Sequence, residues 1–184
     1  MIGRAAADLR QDAAKRFVIL ESRPSFGGTW DLFRYPGIRS DSDMYTFGYA
    51  FKAWTNPKSI AAGPAILDYL GETIHENQLE RKIRYGQTVT KAAWDSASAQ
   101  WTVEIAHADG QPTSTMRCNF LYMCTGYFSY REAHRPDYPG ENTFCGPIIH
   151  PQFWPADLDY HGKRVVIIGS GATAVTLLPS MASA

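Results

Sequence analysis

The run Arg164-Val165-Val166-Ile167-Ile168, ending in Gly169-Ser170-Gly171-Ala172-Thr173-Ala174, constrains the fold more than any other feature of this chain. Consecutive apolar residues of this kind read as a strand buried in a parallel sheet. The loop after it is a G-x-G-x-x-A, weak alone but strengthened by the strand before it. Strand, glycine loop and helix N-terminus, in that order, are how a doubly wound α/β fold offers free backbone N–H groups to a pyrophosphate. A second unit of the same type is half visible near the start. Residues 3–14 read as an amphipathic helix, with Ile2, Ala5, Ala6, Leu9 and Ala13 at helical spacing. Arg16-Phe17-Val18-Ile19-Leu20-Glu21 reads as the next strand, and Glu21 stands where an acidic side chain accepts ribose hydroxyls. The first strand and G-x-G-x-x-G of such a unit do not precede that helix. Ile2-Gly3 reads as the pair just after the third glycine, so the chain is expected to be an internal segment.

Between these units the pattern changes. Residues 22–42 form a long loop rich in Gly, Pro, Arg and Asp, of the length usually reserved for function. Trp30, Phe33 and Tyr35 argue that it is ordered, and the aromatic-rich stretch 44–54 is expected to pack beside it. Pro64 opens a helix to about Asn77, with Ile66, Leu67, Leu70 and Ile74 on one face. Residues 88–94, 100–105 and 114–119 read as three short strands, separated by turns at residues 95–98 and at Asp109-Gly110. Residues 120–124 read as a buried strand ending at Thr125-Gly126. A Pro- and Gly-punctuated connector then runs over residues 127–162.

Three blocks in this frame carry a resemblance. The connector holds F-x-G-x-x-x-H-x-x-x-W-P at Phe144, Gly146, His150, Trp154 and Pro155. The long loop holds Gly27-Gly28-Thr29-Trp30 and Arg34-Tyr35-Pro36-Gly37-Ile38-Arg39-Ser40-Asp41. With the G-x-G-x-x-A loop, these resemble the flavin-dependent Baeyer–Villiger monooxygenases, and within them the subfamily that activates the prodrug ethionamide. The similarity covers nearly the whole chain.

The resemblance implies an α/β fold: a partial Rossmann-like FAD-binding domain over residues 1–142 with a small antiparallel meander. A linker with the signature follows at residues 143–162, then the first strand and helix of an NADP-binding domain at residues 163–184. It implies that Glu21, Gly28, Thr29, Trp30, Asp31, Leu32, Arg39, Ser40, Asp41, Val89 and Gly126 contact cofactor, mainly FAD. Gly169, Ser170, Gly171, Ala172, Thr173, Ala174 and Val175 are implied to hold NADPH. Asp41 matches an aspartate beside a catalytic arginine whose position falls after Ala184. His150 is implied to be a hydrogen-bonded linker histidine, not a general base.

The reaction implied is insertion of one oxygen atom of O2 into a ketone, or oxidation of a sulfur centre, through a C4a-peroxyflavin. The cofactor does the hard chemistry, and the protein holds it and excludes water. Lacking the first strand and phosphate loop, the isolated chain is expected to bind FAD poorly and not to turn over. The alternative is a non-catalytic remnant or partner module with weak nucleotide binding. A flavin disulfide reductase would need a C-x-x-C, which Cys118, Cys124 and Cys145 do not form. Equal numbers of basic and acidic residues, 18 each, argue against a nucleic-acid partner. No span suits a bilayer, no signal peptide opens the chain, and three unpaired cysteines fit a reducing cytoplasm.

Overall fold

The computed structural model describes residues 15–183. The helix read over residues 3–14 lies outside them. The described residues form two compact units. One holds residues 15–28, 49–53 and 68–126, the other residues 29–48, 54–67 and 127–183.

In the first unit, β1 (Ile19–Leu20) pairs in parallel with β2 (Ile83–Arg84). The strand expected over six residues is thus two residues long. Its partner limits it at both ends: the register sets residues 16–18 opposite the 3-10 turn Glu80–Lys82, and Gly86 at φ +65° turns the chain just after β2. Pairing continues irregularly around the turn, where Glu21 N–H donates to Arg84 O and Gln87 N–H donates to Glu21 O, each at 2.9 Å. An antiparallel meander follows: β3 (Gln87–Asp95), β4 (Gln100–His107) and β5 (Ser114–Cys118). All three strands lie where apolar alternation and turn residues place them. Val103 and Ile105, two apart on central β4, are 3% and 2% exposed, so one face of that strand is a core face. The Asp95 carboxylate accepts from the N–H groups of Ala97 and Ser98, closing the β3–β4 turn, and Trp94 faces its register partner Trp101 with ring centroids 5.5 Å apart.

Helix α3 (Gly63–Glu76) begins with Pro64 in its first turn, where a missing N–H costs nothing. It follows two single-turn helices, α1 (Thr29–Leu32) and α2 (Met44–Phe47). Gln78 at φ +52° ends α3, and Leu79 N–H closes back on Ile74 O at 2.9 Å. Gly71 sits inside it because a Cβ there would stand 3.3 Å from the Phe26 ring.

Lys52 is clamped by the outer face of this helix. Its Nζ lies 2.7 Å from Glu76 Oε1 and 3.1 Å from Glu72 Oε2. The Glu76 hydrogen bond, opposed by burial and helped by Glu72, holds the ammonium above its ordinary value of 10.5. A raised folded-state value stabilises fully below the unfolded value and stops doing so as pH rises through the folded one. The difference in melting temperature between wild type and Lys52→Met is therefore expected to be flat to about pH 10.5 and to shrink only above it. Thermal melts across pH 8–12 check this, and a difference that collapses near neutrality would refute it.

The second unit is organised by Phe33, Tyr35 and Leu177, all buried, with Leu32, Ile38, Trp154, Ile167 and Met181 packed against them. Leu177 comes from α4 (Ala172–Ala182).

Two expected strands are corrected. Residues 120–124 form no strand, and Phe120, Tyr122 and Met123 are 74%, 54% and 71% exposed. Residues 164–168 form no ladder either. Ile167 turns into the core while Val166 and Ile168 stay 84% and 70% exposed. The reason is the same in both: an apolar run encodes a buried destination, but a strand exists only when a neighbour pairs with it. Among the described residues no such neighbour lies beside either run.

Candidate functional site

The glycine loop of the second unit keeps two parts of a phosphate cradle, the glycine turn and the helix N-terminus, without a paired strand before it. Gly169 adopts φ +132°, a region that side chains rarely enter, and Gly171 is the N-cap of α4. Among the described residues, a Cβ on either glycine would meet nothing within 4 Å, so the space above the loop is open there. No side chain caps α4, and Val175 N–H is the first to find a helical partner, Gly171 O, at 3.2 Å. The N–H groups before it are those that an anion takes. Ser170, Ala172, Thr173 and Ala174 complete the loop, with Thr173 and Ala174 half-buried and Val175 exposed. These residues fit a dinucleotide pyrophosphate.

The long loop supplies a second cluster in the same unit. Thr29, Trp30, Asp31 and Leu32 form α1. Asp31 lies 3.6 Å from Arg34, and Leu32 reaches the core. Tyr35-Pro36-Gly37-Ile38 is a turn, with Ile38 N–H to Tyr35 O at 3.3 Å and Gly37 at φ +80°. Ser40 is buried. Its N–H donates to Ala61 O at 2.8 Å, and its hydroxyl accepts from Ala61 N–H at 3.1 Å. That anchor leaves Arg39 and Asp41, on either side of it, exposed. The anchor escaped sequence reading because it joins residues 21 apart with no spacing rule behind it.

In the first unit, one Glu21 carboxylate oxygen accepts from Arg23 N–H at 3.0 Å, and Arg23 Nη1 reaches Gly28 O at 2.9 Å. The acid and the glycine pair are thus tied by one arginine that sequence reading missed. Gly27 and Gly28, at φ +106° and +54°, need glycine there. Val89 is 42% exposed on β3, beside a bulge, and Gly126 is exposed at φ +73°.

Three positions of the connector motif, Gly146, His150 and Trp154, have a structural explanation. A Cβ at Gly146 would stand 2.8 Å from the Phe144 ring, so the glycine makes room for that ring. His150 accepts from Gln152 N–H through Nδ1 at 3.2 Å, starting a 3-10 turn over Pro151–Phe153. Trp154 packs into the core and meets Tyr160 edge-on at 6.1 Å. Pro155 follows it and, with His150, Ile148, Ile149, Phe153, Glu132, Ala133 and Arg135, lines an open groove of about 530 Å³. No cofactor candidate lines that groove. Among the described residues there is no cluster able to hold a metal ion, and no helix is long and apolar enough to cross a membrane.

Comparison with known proteins accords with this geometry. The model of the flavin-binding monooxygenase-like family matches residues 51–183. The FAD-containing monooxygenase EthA of Mycolicibacterium smegmatis is 53% identical over 167 residues, covering 91% of this chain and 34% of the relative. The probable FAD-binding monooxygenase AlmA of Acinetobacter baylyi is 53% identical over 177 residues, covering 96% and 35%. Among solved structures, an oxidized steroid monooxygenase bound to NADP has a TM-score of 0.79 at 29% identity, covering 98% of this chain and 35% of that one. An open form of cyclohexanone monooxygenase has a TM-score of 0.80 at 27% identity, with the same coverage. The chain spans about a third of the length of the curated relatives it matches.

Proposed function

The chain belongs to the flavin-binding monooxygenase-like family, and on that premise we propose that it carries FAD- and NADPH-holding segments of a Baeyer–Villiger-type monooxygenase. The substrate class is a ketone or a sulfur centre, with O2 as co-substrate. Bound FAD, reduced by NADPH, supplies the electrons that divide O2 between the product and water. One observation carries the reading. In a chain so related, the Gly169–Gly171 loop leaves open space among the described residues, before a helix N-terminus that none of their side chains caps.

The proposed roles follow the residues' settings. Gly169 to Val175 hold the NADPH pyrophosphate through backbone N–H groups. Glu21 accepts ribose hydroxyls of FAD, and Gly28 lets its backbone approach the nucleotide. Thr29, Trp30, Asp31, Leu32, Val89 and Gly126 are further FAD contacts. Ser40, fixed to Ala61, holds Arg39 and Asp41 outward, and Asp41 orients a cationic side chain near the reacting centre. In domain terms, residues up to 142 serve FAD, 143–162 form the linker, and the residues from 163 serve NADPH. A cytoplasmic location belongs to the same proposal and suits three free thiols.

The test is made on the protein expressed from its complete reading frame. Flavin absorbance, NADPH oxidation and oxygen uptake are measured with a cyclic ketone and with a thioether. Expected are bound FAD and ketone- or thioether-dependent oxygen uptake matched to NADPH oxidation. A protein that binds NADPH but neither carries flavin nor consumes oxygen is the non-catalytic nucleotide-binding module instead.

A further inference from the structure

The turn that follows the Arg34-Tyr35 pair does more than present Arg39 and Asp41. At Gly37 the backbone touches α4 directly. A Cβ there would stand 2.2 Å from Ser180 Oγ and 2.3 Å from the main-chain oxygen of Thr176. The turn cannot easily retreat. Ile38 O accepts from Gly63 N–H at 2.9 Å, and Ser40 is held to Ala61 by two hydrogen bonds. The helix is therefore the partner that yields. Thr176 lies five residues along α4 from Gly171, a rise of about 7.5 Å. It is buried, and its hydroxyl is already donated back to the carbonyls of Ala172 and Thr173.

We propose that Gly37 is a positioning residue for NADPH. Its bare backbone sets the height at which α4 rests, and so the aim of the Gly169–Ala174 loop at the pyrophosphate. This rests on the functional reading above. Ordinary van der Waals contact needs about 3.5 Å, so a methyl group at Gly37 moves α4 by about an ångström. A shift of that size is enough to spoil a preorganised site.

The experiment uses the complete, FAD-loaded protein and measures NADP+ affinity by equilibrium dialysis, flavin content by absorbance, and KM for NADPH against kcat. Gly37→Ala is expected to raise the NADP+ dissociation constant and the NADPH KM at least tenfold. Flavin content and kcat at saturating NADPH stay within about threefold of wild type. Ser180→Leu crowds the same contact from the helix side without straining the turn. It is expected to give the same split, and it decides the matter where Gly37→Ala does not fold. Wild-type NADP+ affinity in the variants, or loss of FAD in parallel with NADP+, overturns the proposal while leaving the functional reading intact. Wild-type protein that binds neither cofactor removes both.

Discussion

Replacing Gly171 by alanine is expected to weaken NADP+ binding at least tenfold, about 1.4 kcal/mol, while thermal unfolding stays where it was. The two halves of this expectation have separate physical grounds. Gly171 has φ −73° and ψ 178°, a conformation open to alanine, and a methyl group there meets nothing within 4 Å. The fold therefore loses no contact. Alanine is a poorer N-cap than glycine but has less freedom in the unfolded chain, and these effects, each up to about 1 kcal/mol, oppose each other. A bound pyrophosphate is different. It must come within hydrogen-bonding distance of the N–H groups behind Gly171, through the space the methyl group takes. Equilibrium dialysis and a thermal melt on the same preparation separate the two. Unchanged affinity would mean that the open space above the loop is not where NADPH binds.

How much of this site was legible in the sequence depended on whether the signal was local. The Gly169–Ala174 loop, the meander strands and the helix from Pro64 are local patterns, and each lies where its residues put it. The Tyr35-Pro36-Gly37 turn, read only as part of a long loop, also follows a local rule, since Pro followed by Gly favours a turn with φ > 0 at the glycine. Its contact with Ser180 does not, because nothing in the turn names its partner. The same limit explains the reach of Arg23 to Gly28 and the anchoring of Ser40 by Ala61. It also explains why residues 120–124 and 164–168 read as strands and form none: their apolar side chains specify burial, whereas pairing is a property of two segments.

The connector motif sharpens this point. Its glycine answers to Phe144, its histidine to the N–H of Gln152, and its tryptophan to the core around Phe33. These three positions thus have a packing or hydrogen-bonding reason that needs no reacting group. A motif that identifies a family need not mark where its chemistry occurs.

The core that receives Trp154 also carries the largest expected loss of stability. Phe33 is 8% exposed, in one buried cluster with Tyr35 and Leu177, and its ring meets Phe128 at 5.3 Å in an edge-on geometry. Phe33→Ala is expected to cost about 3–5 kcal/mol, through lost transfer energy and the cavity left behind. That is a large part of the roughly 5–15 kcal/mol that a folded domain has to lose. Phe33→Leu keeps most of the volume and is expected to cost less than about 1.5 kcal/mol. Urea unfolding of the two variants measures the difference as a shift in midpoint at constant slope. A loss below about 1 kcal/mol for alanine would show that Phe33 is not the centre of this core. The alanine variant should also weaken NADP+ binding, because Phe33 shares its buried cluster with Leu177, on the helix whose N-terminus is Gly171. The leucine variant, which still supports α4, should not.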